Sequence, residues 1–308
     1  MAQLKNYNSN DFMDSSDAGK VLTEMLHLSR EMGINDFSVI ERIYGDIILI
    51  FEGRFNGFRA NSTKYHNLEH TNSVVLAFIR LVHGLWVDGH SFAPGDIALG
   101  IIAALFHDTG LIQTEDDMEG TGAKYTIGHE QRSIELIKKY LPSQGFNKDE
   151  VEDCANMVLY TILFKPVKDI PFRREAVRLM GQILGSTDLL AQMADRSYLE
   201  KLPLLFLEFQ EGGLKNYNSE LDLLVATENF YEDVFKKRLS GDMGGIAGAM
   251  QSHFRSRWNI DRDLYMESVE KNIAYLRSLK RNCNDRFVCY MQQLRRGNII
   301  KDLYGDLG

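Results

Sequence analysis

Apolar residues recur along this chain at helical spacing, and almost nothing interrupts them, because 308 residues contain only 5 prolines. Proline stops helices most effectively, since it lacks the N–H and clashes with the preceding turn. Val21, Met25, Leu28 and Met32 fall at i, i+4, i+7 and i+11, and Phe37, Ile40, Ile43, Tyr44 and Ile47 line one side of a second helix over 36–50. Further helices are predicted over 65–85, 96–107, 129–140, 148–164, 172–184, 188–211, 262–281 and 285–296, with Gly185-Ser186 as a bend. Asp96 is the expected cap of the helix over 96–107. Residues 53–63, 111–127 and the Gly-rich 241–248 read as loops, and residues 1–16 as a poorly ordered start. No alternating series marks a strand and no fixed-length repeat is visible. The expectation is an all-α fold: a compact multi-helix bundle, one domain over 1–308.

The balance of residues narrows the partners. Hydrophobic residues at 44% and charged residues at 25% suit a globular chain with a sizeable core. A net charge of −8 argues against a nucleic-acid polymer, whose binders need a basic face. The N-terminus lacks the apolar stretch of a signal peptide, and the longest apolar run, 97–106, is too short to span a bilayer. Cys154, Cys283 and Cys289 contain no CxxC pair, so neither a zinc ribbon nor a disulfide framework is expected. The expected setting is cytoplasmic, away from membranes.

Three short stretches carry ligand-capable side chains. Tyr65-His66-Asn67-Leu68-Glu69-His70 puts two histidines four apart, which on a helix would share a face. His107-Asp108 closes the apolar run 97–106, where a charge at the edge of the core is costly unless paired. Asp188 interrupts another core-like segment. Two imidazoles, a His-Asp pair and a distant carboxylate suit a divalent ion such as Mn, Fe, Co, Ni or Zn, with Mg in a second position. Plainer readings exist for each: ordinary helix histidines, a helix C-cap at His107, and an N-cap at Asp188 after Gly185-Ser186-Thr187.

The order His, His-Asp, Asp resembles the HD superfamily of metal-dependent phosphohydrolases. YHNLEHT is similar to the YHNxxH motif of class I cyclic-nucleotide phosphodiesterases. His107 follows His70 by 37 positions and Asp188 follows Asp108 by 80, and the resemblance covers about residues 60–210. It implies that His70, His107, Asp108 and Asp188 ligate a first metal, that Asp108 bridges to a second, and that His66 is the general acid. The implied substrate is a small phosphate ester, such as a cyclic nucleotide. Two features depart from the pattern. The chain reads HDTGLIQ where phosphodiesterases carry a further histidine, and between Asp108 and Asp188 only His129 is available for a second ion, with Glu130 placed to orient a water. One or two ions therefore remain open, as does a homodimer.

Two other functions fit an HD scaffold. A di-iron oxygenase needs a richer histidine set than this chain offers, and a non-catalytic sensing module usually loses the ligands this chain keeps. Lys124 reads first as a solvated lysine. Arg255, Arg257 and Arg262 around Trp258 read either as an exposed helix start or as a phosphate platform. The run 241–248 lacks the GxxxxGK[ST] order of a phosphate loop. His27, His83, His90 and His253 read as structural or surface residues without matched partners.

Overall fold

The structure, a computed structural model, describes Phe12 and residues 15–305. Apart from Phe12, Ser15 and Ser16, the expected poorly ordered start lies outside the described residues. The α-helices are α1 (Ala18–Glu31), α2 (Ser38–Phe51), α3 (Leu68–Val87), α4 (Pro94–Phe106), α5 (His129–Tyr140), α6 (Lys148–Val158), α7 (Glu175–Ala194), α8 (Tyr198–Glu211), α9 (Glu220–Phe230), α10 (Lys236–Ser240), α11 (Ala249–Trp258), α12 (Leu264–Cys283), α13 (Phe287–Gln293) and α14 (Ile299–Tyr304). Among the described residues there is no strand, only the isolated bridges Glu52–Ala60 and Phe58–Thr114. The all-α expectation holds. No described helix is long and apolar enough to cross a membrane.

Helix α3 is the axis of the bundle. Its side chains from His70 to Leu85 are buried at every position but Ser73. It packs on α1, α4, α7 and α11. A helix apolar on all sides belongs inside a bundle, as the sequence of α4 dictates, whereas α3 is buried together with the polar Asn72, Arg80 and His83. One buried cluster of apolar side chains runs from Val21 to Ile300.

Several boundaries differ from the expected ones. Helix α3 starts at Leu68 rather than 65, because the Asn67 side chain accepts the His70 N–H at 3.0 Å and caps it. Asp96 lies in the first turn of α4, which begins at Pro94, and its carboxylate takes the Arg174 guanidinium at 2.7 Å instead of capping. Helix α6 ends at Val158, short of the expected 164. The expected bend at Gly185-Ser186 is absent, and α7 runs unbroken to Ala194. A Cβ on Gly185 would stand 2.9 Å from the Tyr160 carbonyl oxygen, so this glycine serves close packing, not a turn. Asp188 is consequently a mid-helix residue and no N-cap. Against the expectation for the cysteines, Cys283 and Cys289 form a disulfide. Asn284, with φ of 48°, turns the chain after α12 and brings the two Cα atoms to 5.5 Å.

Candidate metal centre

Three helix ends and one helix middle deliver the side chains singled out in the sequence. His70 is in the capped first turn of α3, and His107 and Asp108 follow the last residue of α4. His129 is the first residue of α5 and Asp188 lies within α7. The Asp108 Oδ2 atom is 3.3 Å from His70 Nε2 and 3.2 Å from His107 Nε2. The two Nε2 atoms are 3.4 Å apart, and Asp188 Oδ1 is 3.4 Å from the first and 3.8 Å from the second. One donor atom from each of His70, His107 and Asp108 lies within 4.8 Å of the others, and all three residues are buried. Ligands about 2.0–2.2 Å from a shared ion stand roughly 3.0–3.5 Å from one another, so the separations among His70, His107 and Asp108 fit a divalent cation, while Asp188 Oδ1 meets that range toward His70 and stands wider, at 3.8 Å, from His107.

The hydrogen bonds around the cluster set which nitrogen faces inward. His107 Nδ1 lies 2.8 Å from the Ala104 carbonyl oxygen, and His129 Nδ1 lies 2.9 Å from that of Thr126. A carbonyl accepts only, so both Nδ1 atoms carry the proton and both Nε2 atoms present a lone pair in the neutral ring. His129 Nε2 points at the other oxygen of Asp108, Oδ1, at 3.2 Å. Asp108 Oδ2 is buried and has no hydrogen-bond partner. The His107 lone pair therefore faces a buried carboxylate oxygen without a hydrogen-bond partner, and the His129 lone pair faces the other oxygen of the same carboxylate, an arrangement that calls for a cation.

Without a cation, protons take that part. Burial opposes a charged imidazole at His70, but close contact with Asp108 and Asp188 outweighs it and pushes the pKa up to about 10. Burial opposes charge at His129 too, yet Asp108 and Glu130 push it up to about 9. At Asp108 burial favours the neutral acid, and the imidazoles of His107, His129 and His70 overcome this and hold the carboxyl well below its usual range. The site is built for net positive charge against two carboxylates.

His66 lies before α3, in the bend leading to Asn67, so it shares no helix face with His70 as the spacing suggested. Its ring is still 5.7 Å from that of His70 and 6.1 Å from that of His129. Its Nδ1 donates to Glu208 Oε2 at 2.6 Å, and the other oxygen of Glu208 accepts the Tyr65 backbone N–H at 2.7 Å. Glu208 is buried in α8 and was not singled out from the sequence. The available signal was an acid one turn from Leu204 on the buried side of an amphipathic helix. Glu130 sits beside His129, its Oε2 3.5 Å from Nδ1, at the ring nitrogen turned away from Asp108.

The cations singled out in the sequence are engaged elsewhere. Lys124 pairs with Asp117, Arg257 with Glu24, Arg262 with Glu267 and Arg255 with Asp261. Of the two readings given for the arginines around Trp258, an exposed helix start or a phosphate platform, neither named these ion pairs. Three histidines read as unpartnered have partners: His27 and His83 both face Glu31, and His83 Nδ1 meets His253 Nδ1 at 3.1 Å. Comparison of the chain with protein-family models, with curated proteins and with solved structures returns no match.

Proposed function

We propose that the chain is a metal-dependent phosphohydrolase of the HD type, acting on a phosphodiester or phosphomonoester of a small molecule such as a cyclic nucleotide. The observation that carries the reading is the buried, unsatisfied Asp108 Oδ2 facing two imidazole Nε2 atoms. His70, His107, Asp108 and Asp188 would hold the first ion. The approach of Asp108 Oδ1 to His129 Nε2, at 3.2 Å, supports a second ion, which these two residues would help to hold. Bound divalent ions would supply a water of lowered pKa and would polarise the phosphoryl oxygens.

The protein's own groups would do the rest. His66 is the general acid, because Glu208 fixes its Nδ1 proton and leaves Nε2 to carry the proton destined for the leaving oxygen. Glu208 also holds the Tyr65 backbone, so the acid and the start of α3 move together. Glu130 is better placed to orient His129 than to touch a substrate. The test is hydrolysis of bis-p-nitrophenyl phosphate and a nucleotide panel by purified protein supplied with Mn, Mg, Co or Ni. Absence of metal-stimulated release in every condition would sink the proposal. Two irons per chain with oxygen consumption would favour an oxygenase instead.

A further inference from the structure

Asp188 is set apart from the other expected ligands by its neighbours. It lies in the middle of α7, where no backbone cap or helix end fixes its carboxylate. One turn on, Gln192 Nε2 donates to Asp188 Oδ1 at 2.9 Å. This is the same oxygen that faces His70 Nε2 and His107 Nε2. The Gln192 Oε1 atom in turn accepts the Tyr65 hydroxyl at 3.1 Å. The amide orientation follows from chemistry, since a carboxylate accepts only and must meet the NH2 group, which leaves the oxygen for the phenol. Tyr65 is buried, and its backbone is tied to Glu208.

We infer that Gln192 is a positioning residue for the metal ligand Asp188, and that Tyr65 acts through it as the outer post of the same relay. The inference rests on the reading of Asp188 as a ligand. Gln192 holds Oδ1 turned toward the imidazoles, and Tyr65 keeps Gln192 from rotating into the alternative rotamers an unpaired amide would sample. The relay also ties the ligand Asp188 to the segment that carries His66, because Tyr65 precedes His66 and Glu208 holds both. Position 192 is accordingly predicted to govern ion affinity although its side chain stands outside the ligand set.

The experiment measures Mn2+ affinity by competition with a fluorescent chelator, alongside melting of the metal-free protein, for wild type, Gln192→Leu, Tyr65→Phe, Asp188→Ala, His107→Ala and the doubles. Gln192→Leu is expected to weaken Mn2+ by ~10–100-fold, the usual loss for an outer-shell partner. Tyr65→Phe is expected to weaken it less, and to add nothing in the Gln192→Leu background. Neither change should alter the affinity left in Asp188→Ala. A Gln192→Leu protein that melts lower but binds Mn2+ as wild type does, while His107→Ala loses it, overturns the positioning role alone. So does a loss from Gln192→Leu of equal size with and without Asp188. A wild-type protein that takes up no Mn2+ overturns the metal reading and this inference together.

Discussion

Asp108 is the residue on which the site turns, because its two oxygens face different imidazoles. Oδ2 meets His70 and His107, and Oδ1 meets His129. Asp108→Ala is therefore expected to remove bound metal and phosphoesterase activity together, read by elemental analysis and by assay. His66→Ala removes no expected ligand, so metal content should stay while turnover falls by ~10²–10⁴, the usual contribution of a general acid. If His66→Ala strips the metal, His66 is a ligand and the division of labour is wrong. Acidity reaches the site through His70. Its folded pKa, about 10, stands above the ordinary 6.5, so in the metal-free protein this proton's contribution to stability is full below pH 6.5 and is lost as the pH rises through about 10. A divalent ion must displace that proton. Mn2+ uptake should release protons and weaken as the pH falls from about 9 to about 6. Calorimetry in buffers of differing ionisation enthalpy reads the release, and a signal independent of the buffer contradicts it. The ligand-type residues were legible in the sequence because a charge after an apolar run has few explanations. Glu208 and Gln192 were not, because each is one polar residue among helix residues and only the fold reveals what it faces.

At the scale of elements, the site depends on how closely the turn after α4 meets the start of α5. The Gly110 N–H donates to Ser133 Oγ at 2.8 Å, and that hydroxyl donates to the His107 carbonyl at 2.7 Å. A Cβ on Gly110 would stand 1.9 Å from the His129 carbonyl oxygen and 2.8 Å from the Ser133 nitrogen, both backbone atoms that cannot swing aside. Gly110→Ala should destabilise the fold by about 1–3 kcal/mol in urea titration, the range for overpacking. It should also separate His129 from Asp108 and lower metal stoichiometry before it lowers first-site affinity. Retention of wild-type stability and stoichiometry would show that α5 can shift without cost. Helix α5, expected over 129–140, is found at those bounds, because Gly128 with φ of 87° and the apolar spacing of Ile134 and Ile137 both mark it. The break expected in α7 shows why other boundaries were hidden. Gly, Ser and Thr signal a turn at the surface, but Ser186 and Thr187 are fully buried and the Thr187 hydroxyl donates to the Ile183 carbonyl at 2.9 Å. The same three residues serve close helix packing, and local sequence cannot distinguish that use from a bend.

For the molecule as a whole, the spread of the candidate ligands along the chain has a consequence for stability. His70 belongs to α3, Asp108 follows α4 and Asp188 belongs to α7, and these three helices pack on one another in the middle of the bundle. An ion held by all of them is a cross-link between segments far apart in sequence, and the unfolded chain has no such site. Binding to the folded state alone adds RT ln(1 + [L]/Kd), or ~2.7 kcal/mol at a free ion concentration 100 times Kd. For a chain of this size that corresponds to a rise in Tm of roughly 5 °C. Melting should therefore rise on adding Mn2+ to chelator-treated protein, in step with occupancy, and the rise should vanish in Asp108→Ala. The disulfide supplies a contrast. Cys283 and Cys289 close a loop of only a few residues between α12 and α13, elements that carry none of the candidate ligands, so Cys289→Ser should lower stability by at most about 2 kcal/mol. It should leave the Mn2+-induced shift intact. If the shift instead disappears with the disulfide and survives Asp108→Ala, the ion is stabilising the C-terminal helices and not the core, and the cluster at the heart of the bundle is held by protons alone.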